Sequence, residues 1–123
     1  MRIFKNSWFA RFADKEGITD DELKEAVNLL EAGQATDLGG DVYKVRIARP
    51  GEGKSGGYRV IVFFKSEART FFVYGFAKSD MGNINERRLR IFKKKAKINL
   101  KLTDEEIRNE LRKRDLIEVP QEA

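Results

Sequence analysis

The chain has 123 residues, 41% of them hydrophobic, which is enough for one buried core and calls for a single domain over 1–123. It contains neither cysteine nor histidine, so disulfides, thiolate zinc sites and the commonest metal ligand and acid/base are excluded, and chemistry falls to Lys, Arg, Tyr, Ser, Asp or Glu. Its net charge of +5 is unevenly spread: residues 1–42 hold five basic and nine acidic side chains (−4), residues 43–102 sixteen and four (+12), and residues 103–123 four and seven (−3), which points to a polyanionic partner.

Asn6 or Ser7 caps a short helix carrying Trp8, Phe9, Phe12 and Ala13 on one side, and Gly17 is its stop. Thr19-Asp-Asp-Glu22 is a capping box, with Ile18 and Leu23 as the flanking hydrophobic staple. Leu23, Ala26, Val27 and Leu30 then recur at i, i+3, i+4 and i+7, predicting a packing helix that ends at Gly33. From Val42 the period becomes two, with Tyr43, Val45 and Ile47 on one face and Lys44, Arg46 and Ala48 on the other. After a turn rich in Gly and Pro, residues 58–64 and 70–76 read as a hairpin joined through Lys65 to Arg69. These strands predict an antiparallel meander of three strands, to which Ile3 and Phe4 add a short edge strand. A basic amphipathic helix follows over about 85–98, then a second capping box at Thr103-Asp-Glu-Glu106 with Leu102 and Ile107 as staple. That terminal helix ends near Arg114, and residues 116–119 form a short strand or docked tail. The expected fold is therefore α+β: two N-terminal helices, an antiparallel sheet of three to four strands, a basic helix, and residues 103–123 as a helical extension.

No stretch reaches the roughly 18 to 20 apolar residues of a membrane span, and residues 1–6 lack the apolar centre of a secretory signal, so a cytoplasmic protein without membrane association is expected. Residues 48–55, Ala-Arg-Pro-Gly-Glu-Gly-Lys-Ser, resemble a relaxed phosphate-binding loop. Such a loop opens into a helix, whereas here Gly56-Gly57 is followed by a strand-like run, and nucleotide hydrolysis is set aside. Within the basic block, Glu52, Glu67, Asp80 and Glu86 are too scattered to hold a pair of magnesium ions, so neither a metal nor another cofactor is expected.

Lys54 in the glycine-rich turn, Arg59 just inside the next strand and Lys78 at the end of the last one suggest cations collected beside one sheet to handle phosphates. On the basic helix Arg87, Arg90, Lys93, Lys94 and Lys97 occupy one arc, while Ile84, Leu89, Ile91, Phe92, Ala96 and Ile98 lie opposite and Arg88 and Lys95 must snorkel. Tyr58, Tyr74 and Phe76 are either core residues or surfaces on which a base can stack.

In their order and spacing these pieces resemble the RelE/ParE toxin superfamily, and in particular its HigB-like branch, whose members carry similar Gly-Lys-Ser-Gly-Gly-aromatic-Arg-Val and Phe-Ala-Lys-Ser runs. The resemblance spans about residues 1–100 and implies a toxin that cuts messenger RNA on the ribosome. It also implies a cognate antitoxin, expected to be a helix-turn-helix protein encoded alongside. By position, Lys44 and Arg46 match the family's cationic pair, Arg59 its phosphate-binding arginine and Lys78 the basic residue closing the last strand. Where RelE places a further arginine and a tyrosine, this chain has Ser79 and Asn85, which leaves the general base unassigned. A gyrase-directed, ParE-like toxin and a non-catalytic RNA-binding module are the alternatives.

RNA can be cut without metal when its own 2′-hydroxyl attacks the neighbouring phosphorus, so that the protein need only align groups, move protons and stabilise charge. Arg59 is the candidate for charge stabilisation, and an ion pair with Glu52, Glu67 or Asp80 is its structural alternative. Lys54 and Lys78 are assigned charge and proton-donor roles, while Lys44, Arg46, Tyr58 and the basic arc are assigned to RNA binding, with an acidic antitoxin segment as the alternative occupant of the arc.

Overall fold

Strand β1 (Arg2–Asn6) is followed by helices α1 (Ser7–Glu16) and α2 (Asp20–Glu31), then by strands β2 (Thr36–Asp37), β3 (Val42–Ile47), β4 (Tyr58–Phe64) and β5 (Arg69–Ala77). Helices α3 (Glu86–Asn99) and α4 (Asp104–Arg112) and strand β6 (Leu116–Glu118) complete the α+β chain. This computed structural model describes residues 1–48, 57–66, 68–78 and 84–121.

Asn6 and Thr19 cap the first two helices in the manner the sequence predicts. The Asn6 side chain accepts the Phe9 amide at 2.7 Å, and Gly17 closes α1 at φ 73°. Thr19 and Glu22 exchange side-chain and backbone hydrogen bonds at 2.9 and 3.2 Å, as do Thr103 and Glu106 at 2.8 and 3.1 Å. The apolar face of α2 is buried through Leu23, Ala26, Val27 and Leu30. On α3 the expected stripe is corrected: Phe92 and Ala96 are buried, but Ile91 and Ile98 are 46% and 63% exposed. The buried line runs Leu89, Phe92, Ala96, Leu100, and the two isoleucines lie off it.

The sheet is larger than a meander. Among the described residues it has six strands in the order β2-β3-β4-β5-β1-β6. The meander β3-β4-β5 is present, but β1 is an internal strand, parallel to β5 and antiparallel to β6, where the sequence suggests an edge. Its two apolar residues explain the position: Ile3 packs in the core under α1 and α2, and Phe4, fully buried, packs in the core under α3 and α4. A strand with a large apolar group on each face is stable only where both faces are covered and both edges paired. The C-terminal segment seals it: Leu116 and Val119 are buried, the Val119 amide donates to the Ile3 carbonyl at 2.8 Å, and Arg2 grips Glu118 through bonds of 2.8 and 2.9 Å.

Two helical layers thus sandwich the sheet, and β4 is apolar on both faces for the same reason. Tyr58, Val60, Val62 and Phe64 face α1 and α2, while Ile61 and Phe63 face α3 and α4. The phase of β5 changes midway. Val62 pairs with Phe72 but Ile61 pairs with Tyr74, so Val73 is an extra, bulged residue. Phe71 and Val73 lie on the α3 face before the bulge, and Tyr74 and Phe76 lie on that same face after it. Gly75 then turns toward α1, where a Cβ would stand 2.6 Å from the Phe12 ring. Asn6 secures the bulge, because its side-chain amide donates to the Val73 carbonyl at 3.1 Å while its oxygen caps α1.

Asn6→Ala is expected to lower stability in urea by about 1–2 kcal/mol, from loss of the cap and of the bulge's partner. Asn6→Asp, which keeps the cap acceptor and loses the donor, should fall between it and the parent. Gly75→Ala should destabilise by about 1–3 kcal/mol through overpacking against Phe12. The Arg2 guanidinium holds the Glu118 carboxyl below its ordinary value near 4.5, chiefly through their hydrogen bond. Its contribution is therefore present above about pH 4.5 and lost as pH falls further toward the depressed value. An acid titration of stability should show this loss in the parent and a flatter acid limb in Glu118→Gln.

Candidate polyanion site

Alternation and the bulge together decide which side chains meet. In the antiparallel register Arg46 stands opposite Arg59, and Arg59 stands opposite Phe76; one rung inward, Lys44 stands opposite Ile61 and Ile61 opposite Tyr74. Ile61 and Val42 face α3, so Lys44, Arg46, Arg59, Tyr74 and Phe76 share that face of the sheet. The Lys78 amide extends the ladder by donating to the Gly57 carbonyl at 2.8 Å. Two positions beyond Phe76, Lys78 continues the same alternation and is exposed. Arg59 and Lys78 therefore belong to one face, at the end of the sheet beyond the core that Phe92 and Ala96 of α3 cover.

Arg59 is half-buried and stands opposite Arg46. Among the described residues no carboxylate forms an ion pair with it, and its side-chain contact is a long bond of 3.5 Å to the Tyr58 carbonyl. The carboxylates weighed as alternatives, Glu52, Glu67 and Asp80, lie outside the described residues, as do Lys54 and Ser79. Burial, and after it the charge of Arg46, lowers the Arg59 pKa from its ordinary value. An arginine remains a cation under such pressure.

An aromatic wall flanks this rung. Tyr74 stacks on Trp8 with ring centroids 4.6 Å apart and lies 6.2 Å from Phe76 and 5.9 Å from Phe92. Arg88, expected to snorkel, reaches back from the first turn of α3 to lie 4.8 Å from the Tyr74 centroid and donates to its hydroxyl at 2.6 Å. That interaction pins the start of α3 beside the cationic rung. Trp8 is 38% exposed, which a sequence reading that places it with Phe9 and Ala13 on a packing face does not anticipate. Its partner comes from a strand some 66 positions away, and no local pattern signals it.

Other expected residues are separated from the rung. Tyr58 is 1% exposed on the opposite face, where its hydroxyl donates to Glu16 at 2.8 Å, so it is a core residue and not a base-stacking surface. Arg87 and Arg90 are exposed on the N-terminal half of α3, the half that Arg88 ties to Tyr74. Lys93, Lys94 and Lys97 lie farther along α3 and line a cleft with Lys65, which follows β4 at the opposite end from Arg59. Among the described residues no group of three or more acidic side chains is placed to hold a metal ion, and no helix is long and apolar enough to cross a membrane.

The fold is thus a layered α+β sandwich whose sheet carries Lys44, Arg46 and Arg59 on the same face as an aromatic wall. The chain belongs to the RelE family: the family model described as the RelE toxin of the RelE/RelB toxin-antitoxin system matches residues 1–119. It is thus the toxin of a toxin-antitoxin pair, with an antitoxin as partner and the ribosome as the family's setting.

Tyr74→Leu removes both the Trp8 stack and the Arg88 bond. It should cost about 1–2 kcal/mol. Because Trp8 is the only tryptophan, the loss of its partner should appear directly as a change in its emission.

Proposed function

We propose that this toxin is a metal-independent endoribonuclease of the HigB-like branch that cuts messenger RNA on the ribosome. The supporting observation is the Arg46–Arg59 rung, with Lys44 beside it and Lys78 on the same face, in a place where burial and like charge favour an entering phosphate. In this reading Lys44 and Arg46 hold the flanking phosphates and Arg59 takes the oxygens of the phosphorus under attack. Its planar guanidinium offers two donors to a group that gains negative charge in the transition state. The 2′-hydroxyl gives its proton to solvent water, no side chain being assigned as its base, and attacks the adjacent phosphorus while the bond to the 5′-oxygen breaks. The products are a 2′,3′-cyclic phosphate and a 5′-hydroxyl. Lys78 gives the proton to the leaving 5′-oxygen, and Lys54, outside the described residues, is assigned by the sequence to the same role.

Tyr74 and Phe76 are half-buried on the Arg59 face and offer a surface beside the scissile step on which a base stacks. Arg87 and Arg90 extend the charged surface along α3, so RNA binding continues past the rung. The antitoxin, in this reading a helix-turn-helix protein, silences the toxin by binding it.

In a translating extract the parent should cut messenger and leave 2′,3′-cyclic phosphate and 5′-hydroxyl ends, the mark of attack by the RNA's own 2′-hydroxyl. Arg59→Ala should lower the cleavage rate by about 10²- to 10³-fold. Uncut messenger, ends bearing a 3′-hydroxyl and a 5′-phosphate, or Arg59→Ala cutting like the parent, removes the proposal. Neutralising Arg87 and Arg90 should flatten the dependence of log affinity on log salt by about 0.7 for each phosphate of single-stranded RNA that the protein no longer neutralises.

A further inference from the structure

A second cationic cluster lies away from the site proposed for scission. The final turns of α3 and the residues just after them face the turn before β3 and the residue that follows β4, and a cleft of about 540 Å³ opens between them. Among the described residues it is lined by Lys65, Lys93, Lys94, Lys97 and Lys101 against the single carboxylate of Asp41. Arg59 and Lys65 are six residues apart along and just beyond β4, which separates the two clusters by about 20 Å. Among the described residues none of these five lysines forms an ion pair. On α3 the charges recur three and four residues apart, a spacing at which like charges repel.

The cleft also has shape. Gly39, Gly40 and Asp41 all have positive φ, at 89°, 61° and 64°, forming a left-handed turn against α3. The stem of Lys93 lies across this turn: a Cβ on Gly40 would stand 3.0 Å from Lys93 Cγ, and one on Gly39 would stand 3.1 Å from its Nζ. Glycine at both positions therefore lets Lys93 lie flat against the backbone with its ammonium at the cleft. Leu100 and the lysine methylenes supply apolar wall beneath the charges.

We propose that this cleft binds a small polyphosphate of the nucleoside triphosphate class. Its volume falls among small-molecule sites, which run from about 300 to 1,000 Å³. Five ammonium groups against one carboxylate leave four positive charges, matching a triphosphate chain with about four negative ones near neutral pH. A nucleic-acid backbone carries one charge per phosphate and would have to fold back sharply to bring four into one concavity. A triphosphate brings them on consecutive phosphorus atoms and leaves a base to lie on the apolar wall. This site is additional to the scission site and does not depend on it.

The test uses the full chain bearing Arg59→Ala, so that the principal phosphate grip of the scission site is absent. ATP, GTP and inorganic tripolyphosphate are titrated without divalent metal by calorimetry, and the Gly39 and Gly40 amides are followed by NMR. Saturable one-to-one binding that shifts these amides is expected. Lys94→Ala with Lys97→Ala should weaken it by about tenfold or more. Arg11→Ala with Lys15→Ala, which removes the same charge from exposed positions on α1, should change it by less than about twofold. Tighter binding of ATP or GTP identifies a nucleotide as the source, and equal binding of tripolyphosphate an inorganic chain; either supports the site. Binding that does not saturate, equal weakening by the two double variants, or shifts at Gly39 and Gly40 produced by single-stranded RNA alone would overturn it.

Discussion

The bulge at Val73 is the constraint on which the cationic face depends. A strand that kept strict alternation after Phe71 and Val73 would send Gly75 and Ala77 toward α3 and turn Tyr74, Phe76 and Lys78 toward α1. One extra residue reverses that assignment for the second half of β5. It brings the aromatic wall and the terminal lysine onto the side where β3 and β4 present Lys44, Arg46 and Arg59, and it places the one residue without a side chain under Phe12. The displaced Val73 carbonyl is not left orphaned, because Asn6 reaches it from the joint between β1 and α1. The geometry of the sheet's open end is therefore set jointly by the bulge and by a residue at the start of the chain.

At that end the sheet gathers cations on one face. Opposing two arginines across neighbouring strands is unfavourable, and burying one of them adds desolvation to repulsion. Elsewhere the fold places charge conventionally: acidic residues fill the first turns of α2 and α4, Glu118 answers Arg2, and Asp104 answers Arg69, whose guanidinium also donates to the Leu102 carbonyl. The Arg46–Arg59 rung and the lysine-lined cleft beside α3 are the places among the described residues where like charges gather instead.

Local signals were legible and non-local ones were not. Both capping boxes, the Gly17 stop and the stretch of β4 could be read from the sequence because each is written in a few neighbouring residues. The membership of Arg46 and Arg59 in one face followed from period-two spacing once the hairpins were paired. The place of β1 could not be read, since pairing it in parallel with β5 joins positions 67 residues apart and rests on Phe4 requiring cover. The bulge leaves no trace in composition. Tyr58 and Arg59 show the limit most clearly: adjacent residues with equal claims on RNA are sent to opposite faces, one to Glu16 and the core, the other to the open rung. On α3, Ile91 and Ile98 stand roughly 100° or more round the helix from Phe92, off the buried line, and Lys93, Lys94 and Lys97 between them line a different cleft.

The pairing of β1 with β6 has a temporal consequence. Phe4 finds its last neighbouring strand only when residues 116–118 have been synthesised, and Ile3 receives the Val119 amide later still. A growing chain can assemble the β3–β5 hairpins before then, yet the strand whose Asn6 fixes the bulge stays unsealed on one edge until β6 has emerged. The cationic face therefore reaches its final geometry well after the strands that carry its arginines have been made.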